Sequence, residues 1–438
     1  VKVNTIQASR ANSAVKRFRD AVSFSVETEK VVRPILADVL KRGDKAVFDW
    51  TEKLDKARID SRTLRVTATE MKAGWQRISG SERKAIRKAI QSIKDYHKKC
   101  LPSDWTDQNR AGITIGERFY PITRVGLYVP GGRVPLVSTV LMTAVPAQVA
   151  GVKEIVLCTP PRKDGSVSDG LLAAFHALGL KEVYRIGGAQ AIGAMAYGTK
   201  KITPVDMIAG PGNAYVMEAK RQVYGQVGID LLPGPSEVMV IADEGATPEW
   251  VAADLLSQAE HGTGKEKLYL SVPTKAVWES IQKELEQQLS QTEDNGTMKA
   301  ILRSRFLVGI CPQTEDVVAF ANAVAPEHLE LQVDKSRITE LTKKITTAGA
   351  ILQGYDTPTV LGDFVAGPSH TLPTDGTGRF SGGLQAIDFM RRTSLVRSNP
   401  RANQMVLPTV EAFSSMESLP VHAGSLRLRT NAKKGRTS

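Results

Sequence analysis

Three times between residues 125 and 220 a short apolar run meets a glycine loop and then a helical stretch. Val125–Val129 leads into Pro130-Gly131-Gly132 and an Ala/Val-rich segment that reaches Val149. Glu182–Ile186 leads into Gly187-Gly188-Ala189-Gln190, and Val205–Ile208 into Gly210-Pro211-Gly212-Asn213. A strand that passes through a helix to another strand of the same sense builds a parallel sheet with crossover helices. Glu154–Cys158 extends this group. Glu237–Ala242, Lys267–Val272 and Ala348–Gln353 form a second group. The expected fold class is α/β, with two such domains, one interrupting the other, and helical ends.

Before residue 100 the pattern is helical. Val31, Val32, Ile35, Leu36 and Val39 recur with a period near 3.6 from Glu27 to Lys41, and Gly43 stops them. Val47, Trp50 and Leu54 mark a second helix. Ile86, Ile90 and Ile93 mark a third, which Ser81 is placed to cap and which runs to about Lys99. The chain then divides into an N-terminal helical arm, 1–25, and a discontinuous first α/β domain, 26–125 and 237–381. A second α/β domain, 126–236, and a C-terminal segment, 382–438, with a basic tail complete it.

Composition narrows the functions open to such a chain. At 438 residues it exceeds a single core. No run of about 18 apolar residues is present to span a membrane, and no secretory pattern opens the sequence. Cys100, Cys158 and Cys311 are odd in number and far apart, which fits reduced thiols in a cytoplasm rather than a disulfide framework. Cys158, inside an apolar run, reads as a small buried hydrophobe. The net charge of +12 is inflated by Arg427, Arg429, Lys433, Lys434 and Arg436 near the end. Elsewhere it is spread over helix faces such as Arg83-Lys84 and Arg87-Lys88. With no interleaved aromatics and no recognisable motif, this charge reads as solvated surface, and no nucleic-acid partner is expected.

Glycine loops after strands let backbone amides approach a phosphate at a helix N-terminus. None of these reads G-x-G-x-x-G, and no acid follows at ribose-binding spacing, so on their own they are equally tight turns. Asp254 to Gly262 is richer in ligand chemistry. Thr247 and Pro248 start a helix, Gly262 ends it, and Asp254, Gln258 and His261 share one face. The negative end of a helix suits a cation, yet the same stripe would serve as a water-facing side. His97 and His176 sit in helical runs and read as structural. His261, His328, His370 and His422 lie in polar segments flanked by glycine or proline. Glu327-His328 follows Pro326, which holds Ala325 extended and favours a helix start. A histidine in that first turn would be kept neutral by the helix dipole and suited to take a proton from an alcohol, with Glu327 activating water. The other reading is a glutamate that complements the dipole beside a surface histidine.

Over roughly residues 20–430 these blocks resemble the histidinol dehydrogenase family. The resemblance is carried by Gly126–Gly132, Gly187–Gln190, Gly210–Asn213, Ile229–Glu237 and Asp254–Gly262. Ala325–Leu329, Gly362-Asp363, His370–Thr374 and Glu417–His422 extend it. It implies two incomplete Rossmann-like domains with parallel sheets. It also implies a zinc-dependent, NAD-linked dehydrogenase of histidine biosynthesis, which takes L-histidinol through L-histidinal to L-histidine in two hydride transfers. The implied zinc ligands are Gln258, His261, Asp363 and His422. Glu327 is the implied activator of water and His328 the proton-transfer base. Ser236, His328, Glu417 and the metal ligands would hold substrate, and Tyr128, Gln190 and Asn213 would contact NAD. The family's shared-site homodimer implies that Glu417 and His422 serve the partner subunit. Three positions depart from the family's common residues: Pro233 for Ala, Met207 for Lys and Ser369 for Asn. They leave room for a related dehydrogenase acting on another small polar alcohol, such as a sulfonated diol.

Overall fold

The computed structural model describes residues 2–18, 25–131, 135–292 and 296–430. Gly132, part of the 1–25 arm, and the tail residues Lys433, Lys434 and Arg436 lie outside the described residues. The chain forms two compact units. One is Val1–Cys100 with Ile122–Phe389, and the other is Leu101–Pro121 with Met390–Ser438.

The first unit holds two parallel sheets with the same winding. In one, Arg124–Tyr128 is followed outward by Glu154–Cys158 and Glu182–Tyr184 on one side. Met207–Ala209 and Gly228–Ile229 lie on the other. In the second sheet, Glu237–Ala242 is flanked by Lys267–Val272 and Phe306–Ile310. His328–Gln332 and Ala350–Gln353 lie on its other side. Numbered within each sheet, these strands run 3-2-1-4-5, the order of a Rossmann sheet without its sixth strand. The implied pair of incomplete Rossmann-like domains is therefore present. Lys2–Thr5 adds an edge strand, parallel to Phe306–Ile310. It falls in the expected helical arm, where, among the described residues, only Ala11–Phe18 is α-helical. Four residues are too few for periodicity to reveal.

The helices expected before residue 100 form as Val26–Arg42, Asp44–Asp55 and Gly80–Lys99. Ser79, not Ser81, caps the last of these, in a reciprocal box with Glu82. A fourth helix, Ala68–Arg77, has its own box between Thr67 and Glu70. Val32, Ile35, Leu36, Val39 and Val47 share a core with Tyr128, Ile186, Ile192, Ile208 and Val216. The first two helices thus cover the five-stranded sheet. Grouping 26–125 with 237–381 is not how the cores divide, because a periodic pattern marks a helix without naming the sheet it packs on. The six-stranded sheet is covered on both faces. Val238, Val240, Leu268, Leu270 and Val308 face one core, and Met239, Ile241, Tyr269, Leu329 and Leu331 face the other. Two covered faces explain why most of its strands read as unbroken apolar runs.

The second unit is built on long-range antiparallel pairing. Met390–Arg397 pairs with Thr114–Pro121, which pairs in turn with Trp105–Gln108. Residues 101–121 therefore join the C-terminal segment rather than the first α/β domain. Helices Pro400–Met416 and Pro420–Thr430 follow. Among the described residues no helix is long and apolar enough to cross a membrane.

His97 tests the packing of Gly80–Lys99. It is fully buried, and neither ring nitrogen has a hydrogen-bond partner. Burial penalises the imidazolium and lowers its pKa from 6.5 to about 4. Above pH 6.5 the ring is neutral in both states and costs nothing. As pH falls through that window the unfolded imidazole gains a proton that the folded one refuses, so stability should drop by about 2–3 kcal/mol in total. Denaturant titrations of His97→Leu should lose this part of the pH dependence; an unchanged slope would contradict the assignment.

Candidate active site

The glycine loops gather at the carboxyl ends of the five-stranded sheet, beside its switch point between Arg124–Tyr128 and Met207–Ala209. The Gly188 backbone N–H donates to the Tyr128 hydroxyl at 3.1 Å. Gly188 has a positive φ of 62°, and a Cβ there would lie 2.7 Å from Gln190 Oε1. Gly210 takes φ 112°, and a Cβ on it would lie 2.2 Å from the Tyr128 carbonyl oxygen. Both positions demand glycine. A buried Lys220–Asp230 ion pair holds this loop. Asp230 accepts from Gly210 N at 2.8 Å, and Lys220 donates to Gly210 O at 3.0 Å. Asn213 caps the next helix, its Oδ1 accepting from Tyr215 N and Val216 N. Gln190 is fully buried. Its Nε2 donates to Asp55 Oδ2 at 3.2 Å, and its Oε1 has no partner.

The residues expected to do acid–base work stand at the opposite end of the other sheet, where the chain enters its strands. Ser236 directly precedes Glu237–Ala242, and Glu327 directly precedes His328–Gln332. The expected helix after Pro326 does not form. Helix Thr314–Val324 ends there instead, with Ala325 left-handed at φ 47°, ψ 61° rather than extended. That residue turns the chain into the sheet, and the Glu327 carbonyl accepts from Ala350 N at 2.9 Å. His328 therefore opens a strand rather than a helix, and its pKa moves up, not down. Burial opposes the imidazolium, but the Glu327 and Asp363 carboxylates outweigh it and push the pKa up to about 9. Glu327 Oε2 lies 3.8 Å from Nδ1 and Asp363 Oδ1 lies 3.5 Å from Nε2. Burial raises Glu327, although His328 and the Glu237 N–H, which donates to Oε2 at 2.9 Å, pull the other way. Asp363 is lowered: burial works against its charge, but the neighbouring imidazoles prevail.

Helix Pro248–Ala259 delivers Gln258 and His261 to the same region, and the charge of His261 acts on both Glu327 and Asp363. The helix stops at Ala259, short of Gly262, and His261 sits in the turn with Nδ1 3.2 Å from Gln258 O. Gln258 is buried, with Nε2 unpartnered; rotating that amide would present Oε1, a ligand atom, instead. The expected stripe is split, because Asp254 turns aside to accept from Gln332 Nε2 at 2.7 Å. His370 steadies Asp363. Its Nδ1 donates to the Asp363 carbonyl at 3.1 Å, and Thr139 Oγ1 is 3.1 Å from its Nε2.

The family described as Histidinol dehydrogenase matches residues 19–430. Histidinol dehydrogenase from Gloeobacter violaceus is 42% identical over 97% of this chain and 95% of its own length. The one from Geobacillus kaustophilus is 40% identical over 97% and 99%. The crystal structure of histidinol dehydrogenase from Elizabethkingia anophelis superposes with a TM-score of 0.93 at 33% identity, covering 99% of both chains. The chain belongs to the histidinol dehydrogenase family. It is an oxidoreductase of the histidinol dehydrogenase type, and these relatives give no support to a different alcohol dehydrogenase.

The site residues that the family resemblance implies fall into two sets. Gln258, His261, Glu327, His328, Asp363 and Ser236 belong to the first unit. Glu417 and His422 belong to the second, both exposed, at the end of one helix and inside the next. Among the described residues no three His, Cys, Asp or Glu side chains form a group able to hold a metal. Of the four implied ligands, one is an amide and one lies in the second unit. Ser369 is satisfied internally, donating to Met142 O at 3.0 Å and accepting from Thr371 N. Met207 lines a cavity of about 430 Å³ with Ile229, Asp230 and Asp388. The residues that spacing did not reveal are Asp55 and the Lys220–Asp230 pair, which no local motif links to the loops they hold.

Asp55 gives a test with the opposite sign to His97. Burial raises its pKa from 3.8 to about 6. Below pH 4 the carboxyl is protonated in both states. As pH rises through the window the unfolded chain ionises first, and the fold loses stability. Asp55→Asn keeps an acceptor for Gln190 and removes the charge. It should stabilise the protein above pH 6 by about 1–2 kcal/mol, discounted for partial exposure, and give nothing at pH 4. A gain of equal size at both pH values in thermal unfolding would reject this account.

Proposed function

We propose that this protein oxidises L-histidinol to L-histidinal and then to L-histidine, with zinc holding the substrate and NAD as oxidant. The buried Glu327–His328 pair beside Asp363 carries the reading. Two successive oxidations at one carbon need one group to take a hydroxyl proton and another to activate water, and the two are neighbours here. His328 takes the proton from the alcohol. Glu327, whose burial strengthens its hold on protons, takes one from the water that hydrates the aldehyde. The hydrate then yields its own hydroxyl proton in the second oxidation. When bound, NAD accepts one hydride per oxidation, and zinc supplies a fixed positive anchor for the substrate's nitrogens. His328 must be neutral to act as base. A cation on Asp363 relieves one of the two carboxylates that keep the proton on the imidazole.

Amide oxygen, imidazole and carboxylate suit zinc, so Gln258, His261 and Asp363, with His422, are the proposed ligands. Ser236 and Glu417 join them in holding substrate. The second unit's helices expose Met405, Phe413, Met416, Val421 and Leu428. Apolar surface of that extent supports a homodimer in which Glu417 and His422 serve the partner's site. Tyr128, Gln190 and Asn213 are the proposed NAD contacts. Gln190 brings an unpartnered buried oxygen, and Asn213 keeps its amide N–H groups for a ligand after Oδ1 has capped the helix. Cys100, Cys158 and Cys311 are unpaired, as befits a cytoplasmic protein.

Zinc-loaded protein given L-histidinol should form two NADH per substrate; none formed would reject the substrate. His328→Asn should slow alcohol oxidation by about 10²–10⁴-fold, whereas Glu327→Gln should mainly slow oxidation of supplied L-histidinal. Equal losses in both half-reactions would contradict the division of roles. Chelation should weaken histidinol binding far more than NAD binding.

A further inference from the structure

We propose that Glu330, with Asp254, Gln332 and Thr359, forms a positioning cluster that sets the spacing of the three segments carrying Gln258, His328 and Asp363. The inference rests on the zinc and histidinol site proposed above. Glu330 is fully buried and lies two residues along the strand from His328, on the same face. Its Oε1 accepts from both the backbone N and the Oγ1 of Thr359, each at 2.6 Å. Thr359 opens the helix Thr359–Phe364, which carries Asp363. The Glu330 Oε2 accepts from Gln332 Nε2 at 3.2 Å, and the same amide donates to Asp254 Oδ2 at 2.7 Å. Asp254 lies one helical turn before Gln258. Burial, with the Glu330 carboxylate close by, pushes the Asp254 pKa up to about 8.

These bonds run unbroken from the helix bearing Gln258, across the strand bearing His328, to the helix bearing Asp363. Apolar side chains would pack the same elements at a smaller desolvation cost. They would also let the elements slide, whereas hydrogen bonds in a dry interior hold direction as well as distance. Zinc bonds of about 2 Å leave little room for sliding among ligands drawn from separate elements. Glu330, Asp254, Gln332 and Thr359 touch no reacting atom in this scheme and act only through the ligands.

The test measures zinc affinity by chelator competition, alongside kcat, the KM values and Tm. Glu330→Leu removes the acceptors, Thr359→Val removes one hydroxyl, and Glu330→Gln keeps an oxygen for Thr359. Zinc affinity should fall about tenfold or more in Glu330→Leu and several-fold in Thr359→Val, with kcat reduced and the KM for NAD within about twofold. Glu330→Gln should recover most of the loss. A fall in Tm with zinc affinity and kcat unchanged would make the cluster merely structural and overturn the proposal. Should Glu330→Leu fail to fold, Thr359→Val decides. Zinc binding by the unaltered protein with no response in the variants rejects the cluster alone. No zinc binding by the unaltered protein rejects the site, and the cluster's role with it.

Discussion

The carboxyl of Glu327 and the imidazole of His328 are both almost wholly removed from water, and each is tolerable there because of the other. A lone buried ion costs several kcal/mol, so such groups either neutralise or find a counter-charge. Here the counter-charges come from separate elements. Asp363 arrives on a short helix, and the Glu237 N–H from the neighbouring strand steadies Glu327. Both carboxylates thus push the His328 pKa up, against the effect of its burial.

The two parallel sheets share a winding but offer opposite ends, and the ends differ in polarity. At the carboxyl ends of the five-stranded sheet, Gly188–Tyr197 and Ala214–Val223 begin, so helix N-termini and glycine loops gather there. That polarity favours anions such as a pyrophosphate. At the amino ends of the six-stranded sheet helices finish, and Pro248–Ala259 brings Gln258 and His261 in a helix C-terminus, which favours a cation. The segment 230–236 joins the two sheets without an intervening helix, which puts Ser236 at the amino end. One type of lobe, used from both ends, thus provides complementary electrostatic settings.

The general architecture was legible because glycine loops and apolar runs report parallel crossovers directly. The helices before residue 100 were legible from their period, though not the sheet they cover, since a helix stripe says nothing of its partner. The Met390–Arg397 pairing with Thr114–Pro121 was invisible, because a pairing so distant in sequence leaves no local mark. Pro326 misled because Ala325 adopts a left-handed conformation unusual for a residue with a Cβ, and one such residue turns an expected helix start into a strand. Asp55 acts through a contact across 135 residues, beyond any motif window.

His328–Gln332 shows why the site itself was harder to read than the fold. Leu329 and Leu331 face an apolar core, while His328, Glu330 and Gln332 face helix-borne polar groups. Alternation of this kind is the usual sign of a strand with one wet side, yet all five residues are buried. Periodicity identifies residues that share a face; it does not say whether water reaches that face. The apolar side anchors the strand in its sheet, which leaves the polar side to satisfy its groups with one another and with neighbouring helices. A dry polar layer of that sort becomes visible only when Thr359 and Asp254, distant in sequence, are seen to supply its partners.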